Sequence, residues 1–129
     1  MKTRITLCLF VLLVAACGAQ INDPVAPSVS GVKGQTILGP MCPVVRVGQD
    51  CPDQAYPASL TVRTPEGQEV TRLQSDAAGK FQINLPPGDY ILHPENLDGS
   101  RLPAAADVPF TVLADQFTNV IVTFDSGIR

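Results

Sequence analysis

His93 is the single histidine of the chain, so it is the natural candidate for acid–base or metal chemistry. A site that needs a histidine pair is excluded, and no serine or cysteine nucleophile is recognisable near His93 in the sequence. It stands before Pro94 at the end of a strand-like run, where an exposed or structural role is expected. Ser126-Gly127 lacks the Gly-x-Ser-x-Gly context of a nucleophile elbow. Asp50 and Asp53 flank Cys51 with carboxylates that suit calcium, but the spaced Asp/Asn ladder of an EF-hand loop is missing. Asp125 and Arg129 are spaced to pair and pin the C-terminus. Tyr56, beside the stapled loop, is the candidate exposed aromatic for a contact, with packing over the disulfide as its expected structural role, whereas Tyr90 is expected to be buried. The chain has no Trp, which weakens any sugar-stacking platform. These residues predict no catalytic centre, no metal and no cofactor. The candidate contact surface is Tyr56 with Asp50 and Asp53.

The N-terminal segment carries a different chemistry. Lys2 and Arg4 precede an apolar run from Ile5 to Val14, and Ala15 and Ala16 follow, which is the order of an export signal. That run is about half of the ~20 residues a membrane-spanning helix needs. Val14-Ala15-Ala16-Cys17-Gly18 resembles the lipobox of bacterial lipoproteins, in which the peptide is cut before the cysteine and the thiol receives a diacylglycerol. The resemblance implies a signal peptide over residues 1–16 and lipidation at Cys17 with palmitate-like acyl chains. It also implies a protein held at the cell membrane, facing the periplasm or the cell exterior. Each buried acyl CH₂ contributes about 0.8 kcal/mol, so two or three chains anchor stably. Gly18 is not the Asp that retains some Gram-negative lipoproteins in the inner membrane, and the choice of membrane stays open. With Cys8 removed in the signal and Cys17 acylated, Cys42 and Cys51 remain. Export to an oxidising compartment favours a disulfide between them. A metal there would need ligands that His93 alone does not supply.

Processing removes Lys2 and Arg4 from nine basic residues, leaving seven against twelve acidic ones and a net side-chain charge of −5. An acidic body stands off anionic headgroups, and the lack of a basic patch argues against nucleic acid as a partner. Residues 17–30 hold the lipidated cysteine and a Pro-containing tether, and residues 31–129 form one folded domain. Hydrophobic residues at 45% and charged residues at 16% predict a folded chain, and twelve Pro with ten Gly predict turns and short strands.

Seven strands are expected: Gly31–Leu38, Leu60–Arg63, Val70–Gln74, Phe81–Leu85, Tyr90–His93, Phe110–Leu113 and Phe117–Phe124. Period-two alternation marks them, as in Phe81, Ile83 and Leu85 or Val120, Val122 and Phe124. Turn signals separate them: Thr64-Pro65-Glu66-Gly67, Asp76-Ala77-Ala78-Gly79 and Pro87-Gly88. Pro40–Pro57 reads as a loop stapled by the bridge, and Asn96–Ala106 as a loop with at most one helical turn at Ala104–Ala106. The fold class is all-β: a single seven-stranded antiparallel β-sandwich, transthyretin-like or Ig-like.

Asp76-Ala77-Ala78-Gly79-Lys80-Phe81, followed by Leu85-Pro86-Pro87-Gly88-Asp89-Tyr90-Ile91-Leu92, resembles the carboxypeptidase regulatory-like (transthyretin-like, prealbumin-like) β-sandwich. Gly39–Pro43, Cys51–Asp53 and Phe124–Arg129 resemble a group of small bacterial proteins with this fold, a group that supplies no activity. Hydroxyisourate hydrolases share a related fold but use more than one His and end in Tyr-Arg-Gly-Ser. Intradiol dioxygenases hold iron with two His and two Tyr. One histidine and the ending Ser126-Gly127-Ile128-Arg129 exclude the standard form of both.

The expected function is a membrane-anchored extracytoplasmic lipoprotein acting as a non-catalytic binding or scaffolding module of the cell envelope. Its partners would be the membrane, through the lipid, and an envelope protein or glycan. The alternatives are a carbohydrate or small-ligand binding module, or an enzyme of unknown type.

Overall fold

The computed structural model describes residues 29–129; the expected signal segment, Cys17 and the expected tether as far as residue 28 lie outside the described residues. Eight strands follow in order: β1 (Gly31–Gly39), β2 (Gln54–Ala55), β3 (Ala58–Arg63), β4 (Glu69–Gln74), β5 (Lys80–Asn84), β6 (Gly88–Asn96), β7 (Val108–Val112) and β8 (Phe117–Asp125). They form two four-stranded sheets packed as a sandwich, which bears out the all-β expectation.

The second sheet runs β4-β3-β6-β7 and is antiparallel throughout. The first is built around β1. Along one side β1 pairs with β8 over its full length; along the other it pairs with β5 through Gly31–Gln35 and with β2 through Ile37–Leu38. Two details differ from the sequence reading. The loop Pro40–Pro57 contains the two-residue strand β2, giving eight strands rather than seven. The β1–β8 pair is parallel, joining the first and last long strands of the domain. Local alternation shows which face of a strand is buried, but it carries no information on the direction of a partner 86 positions away, as Gly31 is from Phe117.

The core follows the alternation. Ala58, Leu60 and Val62 of β3 turn inward with Val120, Val122 and Phe124 of β8, and Val32, Phe81, Leu85, Leu92, Phe110 and Val112 complete the buried layer. Each fully buried Val, Leu or Phe side chain contributes about 1.5–3 kcal/mol. Gly34 leaves no room for a side chain against β8: a Cβ there would fall 1.7 Å from the Val120 carbonyl oxygen. Ala104–Ala106 forms no helical turn; Ala104 makes an isolated bridge to Asp125 instead. Ser30, assigned to the tether by composition, belongs to the fold. It is buried, its hydroxyl donates to the Leu85 carbonyl at 2.7 Å, and its own carbonyl accepts the Leu85 N–H at 3.0 Å.

Strand directions give the domain two poles. The chain enters at Ser30, beside Leu85 and Gln116, and β1 carries it about 30 Å at ~3.3 Å per residue to the opposite pole. There lie the stapled loop, the 97–107 loop and the C-terminal tail, tied together by Ser126, whose N–H donates to the Gly39 carbonyl at 3.1 Å and whose hydroxyl donates to Pro40.

Candidate functional site

The pole opposite the chain entry collects most of the candidate residues. Cys42 and Cys51 are joined there in a disulfide with Cα atoms 6.1 Å apart. The bridge closes a short loop whose apolar tip, Val44, Val45 and Val47, is exposed. Three exposed valines within four residues of a constrained loop make a small apolar patch. Arg46 stands among them and Asp50 closes the ring, both exposed. Asp53 sits just beyond the bridge with its carboxylate against the Gly39 backbone.

Tyr56 is placed differently from its role as an exposed aromatic. It is half-buried, its ring lies 4.7 Å from that of Phe124, and its hydroxyl donates to Asn96 Oδ1 at 2.9 Å. Asn96 in turn donates through Nδ2 to the carbonyls of Ser100 at 2.7 Å and Pro103 at 2.9 Å. Tyr56 therefore clamps the exit of the stapled loop to the 97–107 loop. Desolvation raises its pKa above the usual value, and the nearby Asp98 carboxylate adds to the effect. Tyr90 is half-buried rather than buried, stacked on Phe110 at 5.7 Å with its hydroxyl donating to Pro86 at 2.8 Å.

Asp125 and Arg129 pair as their spacing suggests. Arg129 Nη2 lies 2.8 Å from Asp125 Oδ2, and Nη1 lies 3.1 Å from Oδ1. The Arg129 hydrogen bonds, with the Gly127 N–H, hold the Asp125 carboxyl down to about 2. The pair secures the C-terminal tail beside the stapled loop.

His93 sits outside this pole cluster, on the outer face of the second sheet. Its Nδ1 meets Asp107 Oδ1 at 2.5 Å and its Nε2 is 3.9 Å from Glu95. This acidic clasp is absent from the local sequence, because Asp107 arrives from the segment before β7, 14 residues on. A depression of about 320 Å³ nearby is lined by His93, Glu95, Ser100 and Arg101, but it brings no hydroxyl or thiol to the imidazole within hydrogen-bond distance. Among the described residues no group of three or more His, Cys, Asp or Glu is arranged to hold a metal ion.

No protein-family model matches the sequence, and no curated protein matches it. Among solved structures, GBS52, the minor pilin of the Gram-positive pathogen Streptococcus agalactiae, is similar to this chain with a TM-score of 0.53 and 13% identity over 76% of it. The Bacillus anthracis TIE protein matches 71% of the chain with a TM-score of 0.43 and 18% identity. This chain spans 45% of the pilin and 16% of the TIE protein. The pilin likeness is one of fold alone.

Proposed function

We propose that the chain is a lipid-anchored module of the cell envelope, outside the cytoplasm, that binds or scaffolds a partner and catalyses no reaction of its own. The observation that carries this reading is the polarity of the domain. The described chain enters the sandwich at one pole, at Ser30, and the stapled loop with exposed Val44, Val45 and Val47 occupies the other. A lipid on Cys17 would therefore hold the loop facing away from the membrane. The lipobox-like Val14–Gly18 supports the anchor, and the pilin-like fold supports a role in presentation rather than chemistry. On this reading the sandwich is a carboxypeptidase regulatory-like variant whose pole meets an envelope protein or glycan. Cross-bridging restricts the loop before binding, so less conformational freedom is lost when a partner docks.

The test uses the full chain in a bacterial envelope, with a photo-reactive residue at Val45 or, as a control, at Val70 on β4. A discrete cross-linked adduct from position 45 and none from position 70 is expected. Equal adducts from both positions, or none from position 45, would overturn the assignment of the pole. Independently, Cys17→Ala should leave an uncleaved, unacylated precursor by mass; a normally acylated protein would remove the anchor.

A further inference from the structure

The free edge of β8 has a consequence for assembly. The hydrogen bond from the Gly31 N–H to the Gln116 carbonyl sets the parity of the parallel pair. In such a ladder one residue in two aims both its N–H and its C=O at the partner, so Thr118, Val120, Val122 and Phe124 face β1. Asn119, Ile121 and Thr123 then aim their backbone groups the other way. Asp125 shares that outward parity, and its N–H is taken by the Ala104 carbonyl at 2.7 Å. Among the described residues no strand pairs with Asn119, Ile121 or Thr123 on that side.

The other edges are guarded. β4 carries Glu69 and Arg72, β7 carries Pro109, and β5 begins at Lys80. Charges and proline are the usual devices against pairing with a second sheet. Phe117 to Phe124 has neither, and its run Thr-Asn-Val-Ile-Val-Thr is rich in β-branched residues. At the centre of this nine-residue strand stands Ile121, 68% exposed and the most exposed large apolar side chain of any strand.

We propose that this edge pairs with the same edge of a second copy of the chain, antiparallel about a twofold axis at Ile121. The sequence around that centre is self-complementary. Ile121 meets its own copy, and Asn119 meets Thr123 on both sides of the axis. No charge from either chain falls within the pairing, so none is set against its like. Every outward N–H and C=O of Asn119, Ile121 and Thr123 finds a partner, and the first sheet continues across the dimer as one eight-stranded sheet. Two such modules would present two stapled loops from one assembly.

The test is sedimentation of the full chain in detergent over a concentration series, compared with Ile121→Lys, Ile121→Glu and an equimolar mixture of the two. Ile121 points to solvent, so neither substitution disturbs the core. The wild type should double its mass as concentration rises, each variant alone should lose the dimer, and the mixture should regain it. A wild type that stays monomeric would overturn the proposal, including where residues 17–28 of the same chain cover the edge. So would a dimer that survives Ile121→Lys, or a mixture that fails to recover it.

Discussion

The hydroxyl of Thr36 lies 2.9 Å from the hydroxyl of Ser75, joining β1 of one sheet to the end of β4 in the other. Both residues are buried. Each hydroxyl has one hydrogen, and the distances order the chain: the Ala58 N–H donates to Ser75 Oγ at 2.8 Å, Ser75 donates to Thr36, and Thr36 donates to the Tyr56 carbonyl at 2.6 Å. Gly79, at a φ of 71°, brings its carbonyl against the Thr36 N–H at 2.8 Å. The relay fastens the exit of the stapled loop to both sheets. In a low-dielectric interior each bond polarises the next.

Ser75→Ala should therefore destabilise the domain by about 1–3 kcal/mol, because a buried N–H and a buried hydroxyl lose their shared partner. Thr36→Val should cost a similar amount, and the double variant less than the sum of the two. Urea unfolding of the four proteins measures the coupling; strict additivity would show that the relay does not act as a unit.

Thr61 offers the opposite case. It is 0% exposed, and among the described residues its Oγ1 finds no hydrogen-bond partner. In the β3 register it lies between Arg72 of β4 and His93 of β6. A buried hydroxyl without a partner costs about 1–3 kcal/mol. Thr61→Val keeps the shape and removes the cost, so the melting temperature should rise. A fall in thermal unfolding would mean that the hydroxyl is satisfied in solution.

Tyr56 should report on the distal pole at high pH. Its pKa is raised above 10.0 by desolvation and then by Asp98, so the neutral phenol is favoured in the fold. The resulting stability is fully present below the unfolded value and is lost as pH rises through the higher folded one. Ultraviolet titration of the phenolate should show a transition above the usual tyrosine range, and Tyr56→Phe should remove it. Tyr56→Phe should also cost about 1 kcal/mol in urea, the worth of a typical hydrogen bond.

Asp125 should govern the tail at low pH. Its carboxyl is lowered from 3.8 to about 2, first by the Arg129 hydrogen bond and then by the Gly127 N–H. A depressed carboxylate contributes stability above its unfolded value and loses it as pH falls through the folded one. NMR titration should therefore show the tail released as pH drops from about 4 towards about 2. Arg129→Gln should move the Asp125 midpoint upward; an unchanged midpoint would show that the pair does not form in solution.

Particular residues show how much of this protein its sequence determined. The alternation of Val120, Val122 and Phe124 with Asn119, Ile121 and Thr123 specifies a half-buried strand, because a pleated backbone sends successive side chains to opposite faces. Turn residues bound the strands, and the pairing expected of Cys42 with Cys51 is the one the structure forms. These are local or compositional properties, legible along the chain. Pairing across distance is not. That β8 runs parallel to β1, that Thr36 meets Ser75, that Asp107 clasps His93 and that Tyr56 is held by Phe124 and Asn96 all depend on which strands become neighbours. Only tertiary structure decided these, and with them the separation of the chain entry from the stapled loop. The physical reason is that hydrophobic burial rewards any arrangement that covers the apolar faces, whereas direction and neighbourhood are settled by the few hydrogen bonds and close contacts that one topology alone can satisfy.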